Sequence, residues 1–164
     1  MAKAAAPARR KLRFETVDDA IREAERLADA ERQGRLTRVG NWSLGKTLGH
    51  LATWATFAHD GYPPEVCPPL PIRLVIRLMR GRILRGGMSP GMRIGRIPEG
   101  TLGLDELPTE EGLNRYRTAL RRLAASAPSG ASPVFGKLTH DQWIQLNLRH
   151  AELHLGFQLP SGTR

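Results

Sequence analysis

The 164-residue chain has one cysteine, Cys67, and therefore no means of forming an internal disulfide. That absence excludes an oxidised, stapled scaffold and points to a reducing, cytoplasmic compartment. Long hydrophobic runs are also missing. Arginine interrupts each apolar stretch well short of the roughly 18 to 20 residues a membrane-spanning helix needs. An export signal is not expected either, because Arg9 and Arg10 lead into Lys11 and Arg13 instead of an apolar segment. Acidic residues are absent between Glu65 and Glu99, where Arg73, Arg77, Arg80, Arg82, Arg85, Arg93 and Arg96 fall. No repeat of 20 to 50 residues is visible, which excludes a solenoid. The glycines at 86, 87, 91, 95, 100 and 103 precede no Gly-Lys-Ser or Gly-Lys-Thr, so no phosphate loop is assigned.

What is present is ordinary globular composition, 40% hydrophobic and 25% charged, at a length that suits one domain with its own core. The net charge of +9 is concentrated. Lys3, Arg9, Arg10, Lys11, Arg13 and the seven arginines named above make 12 of the 25 bases, and the rest of the chain carries 13 bases against 16 acids. Residues 1–13, rich in Ala, Pro, Lys and Arg, read as a disordered basic arm preceding a single domain over 14–160.

Helical periodicity accounts for most of that domain. Thr16 and Asp19 form a capping pair ahead of Val17, Ile21, Ala24, Leu27 and Ala28, which predicts a helix over 16–32. After a connection from Gly34 to Gly40, Asn41 or Ser43 caps a second helix bearing Leu44, Leu48, Leu51, Ala55 and Ala58; Gly61, Pro63 and Pro64 stop it. A short arginine-rich helix is expected from Pro68 to about Leu84, followed by a long, partly ordered loop over 86–108. Pro108 to Glu111 start the next helix, striped by Leu113, Tyr116, Leu120, Leu123 and Ala124. Thr139 and Gln142 make a capping box for the last, which runs to about Phe157 before Pro160. Four substantial helices with a long connection in the middle predict an all-α, four-helix bundle with a crossover insert.

The last helix carries the chemistry. At about 100° per residue, Asn147, His150 and His154 lie within about 40° of Trp143, inside the apolar face, while Gln145, Arg149 and Glu152 occupy the outward arc. A buried imidazole costs roughly 1 to 3 kcal/mol for each polar group left unmet, so its nitrogens need partners. Histidines four apart stand one turn above each other and can reach one metal ion. A third ligand has to come from a facing helix, and His50 is the candidate, with His59 and His140 as alternatives placed at helix ends. Thr47 and Asn147, each three residues before a proposed ligand, are candidates for orienting the imidazoles, and Trp54 for lining the pocket. Cys67, among prolines and distant from the histidines, reads as an ordinary small residue.

The stretches NWSLGKTLGHLATW and LTHDQWIQLNLRHAELHLGFQL carry a resemblance. Across residues 14–160 the chain resembles the DinB/YfiT-like superfamily of metalloenzymes, in particular its DUF1569-type branch. The resemblance implies a four-helix bundle whose His triad holds a divalent metal, here His50, His150 and His154, with zinc or nickel expected. It also implies activation of water or of a low-molecular-weight thiol, as in a hydrolase or a thiol S-transferase. The segment from about 62 to 108 departs from the shortest members and leaves the small-molecule substrate unassigned. The alternative is a non-enzymatic basic protein in which residues 70–96, with Arg73, Arg77 and Arg80 returning at helical spacing, contact nucleic acid or an anionic membrane; between the two stands a reading in which some of these arginines border the pocket and attract an anionic substrate. No aromatic is interleaved there for base stacking. A homodimer is compatible with this reading.

Overall fold

The computed structural model describes residues 8–91, 93, 97 and 99–161. Among them are five α-helices and a two-stranded ribbon: α1 (Val17–Arg32), β1 (Leu36–Arg38), α2 (Leu44–Asp60), α3 (Leu70–Gly86), α4 (Thr109–Ala125), α5 (His140–Leu155) and β2 (Gln158–Pro160). A single 3-10 turn, Pro64–Val66, separates α2 from α3.

The predicted caps form. Thr16 Oγ1 accepts from Asp19 N–H at 3.1 Å and the Asp19 carboxylate accepts from Thr16 N–H at 2.9 Å, satisfying two orphan donors at the start of α1. Those bonds to Thr16 hold the Asp19 carboxyl below its ordinary range. Ser43, rather than Asn41, caps α2 by accepting from Lys46 N–H. The Thr139–Gln142 box starts α5 in the same reciprocal way. Gly61, at φ 93°, ends α2 in a conformation that disfavours any side chain.

The stripes of α1, α2, α4 and α5 meet in one core that includes Leu27, Leu48, Tyr116, Leu120, Leu123, Trp143 and Leu155. Helices α2 and α4 make the most intimate pair. They run in the same direction, since Gly45 faces Gly112 at one end and Asp60 pairs with Arg122 at 2.7 Å at the other. Parallel neighbours require the chain to travel back, and residues 102–107 do so along α2, meeting it at His50, Thr53 and Gly45. A β-carbon on Gly45 would collide with the backbone carbonyl of Leu107, and one on Gly112 would lie 2.7 Å from the Gly45 carbonyl oxygen. Backbone cannot retreat as a flexible side chain can. Gly45→Ala is therefore expected to cost about 1 to 3 kcal/mol, read as a lower midpoint in urea unfolding with an unchanged slope.

Three features differ from the periodicity reading. The last helix ends at Leu155, because residues 158–160 leave it to pair with 36–38 in antiparallel register, Leu36 opposite Pro160 and Arg38 opposite Gln158. Three-residue strands carry too little alternation to be seen in sequence. Arg149 and Glu152, assigned above to the outward arc of α5, are 2% and 7% exposed. They form an ion pair at 3.1 Å and clamp Phe14, whose N–H donates to Glu152 and whose carbonyl accepts from Arg149. The segment leading into α1 thus covers the face of α5 that helical geometry alone turns to solvent. The expected basic arm over 1–13 lies outside the described residues as far as residue 7. Beyond that point Arg10 donates from its backbone to Gly156 and from its side chain to Gln158 and Glu23, which fastens this part to α5 and β2.

Candidate metal centre

His50 is in the second turn of α2, on the side that faces α5; His150 and His154 are one turn apart on α5. The fold brings all three together, with one ligand nitrogen from each lying within 4.8 Å of the others. His50 Nδ1 lies 2.7 Å from the Leu102 carbonyl oxygen. A carbonyl can only accept, so Nδ1 carries the proton and the lone pair is on Nε2. That Nε2 is 3.2 Å from His150 Nε2. The ring centroids are 4.6 to 5.0 Å apart for the three pairs.

Aromatic side chains close the site. The Trp42 indole stacks on His154, centroids 5.1 Å apart and planes 2° from parallel, and turns its edge to His50. Trp54 covers the other side, 6.0 Å from the His150 ring and 6.1 Å from His50. His50 itself is 1% exposed. Burial pushes its imidazole down to about 4, against the opposing pull of the Leu102 carbonyl. Burial also pushes His154 down to about 3, helped by His50 and by the positive charge of Arg9. For His150, burial and then its two neighbours hold the imidazole well below its ordinary range. All three rings are thus neutral at neutral pH, the state in which imidazole ligates a metal.

The other sequence candidates lie around or away from this cluster. Thr47 is buried, donates to the Ser43 carbonyl and accepts from Gln158 Nε2. Asn147 donates to the Trp143 carbonyl one turn back. Among the described hydrogen bonds neither Thr47 nor Asn147 contacts an imidazole. His59 lies at the end of α2, in a surface cavity of about 320 Å³ between Phe57–Tyr62 and 129–133. His140 Nε2 donates to the Leu123 carbonyl at 2.7 Å and ties the start of α5 to α4. Cys67 is half-buried beside Pro68 and outside the triad. Arg73, Arg77 and Arg80 are on α3, and no described hydrogen bond joins them to a triad imidazole.

Sequence reasoning missed three participants. The Leu102 carbonyl is a backbone group in an irregular segment and has no side-chain signature. Trp42 precedes its helix, so no wheel places it over His154. Arg9, in the basic arm, reaches the site because its guanidinium donates to the Leu153 carbonyl and lies 5.6 Å over the Phe157 ring.

A family model described as a protein of unknown function (DUF1569) matches residues 6–161. No curated protein and no solved structure matches the chain.

Proposed function

Because the chain belongs to the DUF1569 family, a grouping with no assigned activity, we propose its function from the site: a metal-dependent enzyme in which His50, His150 and His154 hold one divalent ion. The observation that carries this reading is the convergence within 4.8 Å of three neutral imidazoles, His50 buried and His150 and His154 half-buried, with the His50 tautomer set by Leu102. The donor set fits zinc or nickel, both of which accept neutral imidazole. Three protein ligands leave room for a fourth, exchangeable one, which distinguishes a catalytic from a structural zinc site.

When bound, such an ion supplies a lowered pKa to a coordinated water or thiol, the basis of hydrolysis or of thiol transfer near neutral pH. The residues of this chain set the conditions. Leu102 orients His50, Trp42 and Trp54 restrict water around the imidazoles, and Arg9 places positive charge beside His154 where an anionic substrate would approach. The scaffold is read as a DinB-like four-helix bundle of α1, α2, α4 and α5 with 62–108 as its crossover insert. What supports that reading is the parallel run of α2 and α4 and the shared core of the four helices.

Elemental analysis by inductively coupled plasma mass spectrometry tests the assignment. Tag-free protein incubated with zinc or nickel is expected to retain about one ion per chain. The His150→Ala/His154→Ala variant is expected to retain none. Equal metal in both would show that the ion sits elsewhere; metal in neither would make the imidazoles purely structural. A screen of ester hydrolysis and thiol addition on the loaded protein then separates the two reaction classes.

A further inference from the structure

Helix α3 is inverted with respect to the usual surface helix. Its one fully buried side chain is Leu84, while Leu70, Ile72, Leu74, Val75, Leu78 and Met79 are 45 to 87% exposed. At about 100° per residue, the first three turns turn an unbroken apolar arc of about 200° to solvent. The arginines of those turns lie at the edges against the body of the protein. Arg80 donates to the Lys137 carbonyl at 2.9 Å, and Arg77 packs beside Gly136. Together Arg77, Arg80 and Lys137 line a shallow basin of about 370 Å³ with Ala131, Phe135 and Gly136, and no acid borders it. Arg82 and Arg85 continue the positive charge at the end of the helix.

We propose that α3 is a peripheral membrane-docking helix that lays its Leu70–Met79 face on an anionic phospholipid surface, with the Arg77–Arg80–Lys137 basin receiving lipid phosphates. A large exposed apolar patch rimmed by cations is the pattern of interfacial helices, in which leucines enter the headgroup and acyl boundary and arginines snorkel to phosphate. Charge decides among the occupants. A second copy of the chain would bring two acid-free, arginine-rich surfaces together, and like charges oppose that pairing. Nucleic acid would require stacking aromatics, and the outward arc of the first three turns is aliphatic, with the exposed Arg82 and Arg85 only beyond it. No described helix is long and apolar enough to cross a membrane, and docking along the surface does not need one.

Flotation of the full chain with lipid vesicles tests this. With phosphatidylcholine vesicles containing phosphatidylglycerol the protein is expected to float, with phosphatidylcholine alone at least about tenfold less, and high salt should weaken the binding. Leu74→Gln/Leu78→Gln should lower partitioning at least about tenfold with an unchanged melting temperature, because both side chains are exposed. Arg77→Gln/Arg80→Gln should abolish the preference for anionic vesicles. The proposal is overturned if wild type floats with neither vesicle, or if the leucine variant floats as well as wild type. It is equally overturned if inorganic phosphate displaces the protein completely, which makes the basin a soluble-anion site. Sedimentation velocity without vesicles supplies the last outcome: a dimer lost in Leu78→Gln would assign the face to a second copy, and a monomer is expected.

Discussion

Glu152→Ala is expected to unfold the protein about 3 to 5 kcal/mol more easily than wild type, a fall in melting temperature of about 10 °C. The substitution leaves Arg149 charged and almost completely enclosed, at 2% exposure, without the carboxylate 3.1 Å away. It also removes the acceptor of the Phe14 N–H at 2.7 Å, so the segment entering α1 loses its anchor on α5. Two groups are left unmet by one deletion, and both are buried. Arg149→Met/Glu152→Leu provides the comparison. Replacing both partners by apolar side chains of similar size removes the stranded charge, and the double variant should recover part of the lost stability even though the Phe14 N–H and carbonyl are both left unmet. Calorimetry on the three proteins distinguishes a pair whose loss is costly from one that merely fills space. If Glu152→Ala melts within about 2 °C of wild type, the clamp contributes little.

Metal-free protein should lose stability steeply between pH 7 and pH 4. The unfolded imidazoles titrate near 6.5, whereas in the folded state His50 is held down to about 4 and His154 to about 3. Between those values the unfolded chain binds protons that the folded chain cannot, so unfolding is favoured as the pH falls. Above 6.5 both states are neutral and the contribution vanishes. From pH 7.5 to pH 5 each of these two histidines should account for about 2 kcal/mol. His150, lowered in the same direction, adds to the slope. Urea unfolding of chelator-treated protein at several pH values reads this directly, and His50→Gln should flatten the dependence. A flat profile in metal-free wild type would mean that the imidazoles accept protons in place. Bound metal should shift the loss to lower pH, because the ion competes with protons for the same nitrogens.

Both predictions rest on α5, and that helix shows where sequence reading succeeds and stops. The histidine pair was legible because helical spacing places residues 150 and 154 on the side of Trp143, and polar residues were available for the other arc. His50 was legible as a candidate because it lies at the edge of its own helix's stripe and in the position that the family resemblance gives to the third ligand. The same geometry misplaced Arg149 and Glu152. A wheel divides one helix into two faces, but a helix can be covered on both, and here the segment entering α1 closes over the second through Arg13 and Phe14. Nothing local in Phe14 announces that it will be clamped by residues 135 to 138 positions away.

Sequence by itself determined where the helices of the core fall, the caps of α1 and α5 and the placement of two histidines on an apolar face, since all of these depend on neighbours within four residues. It also determined the acid-free arginine cluster that sets the charge of α3. Tertiary structure alone decided that His50 meets the pair and that the Leu102 carbonyl sets its tautomer. It likewise decided that Trp42 covers His154 and that α3 turns its leucines outward. Each of these is a contact between segments far apart in the chain, fixed by which surfaces can be buried together, and periodicity within one segment carries no record of that choice.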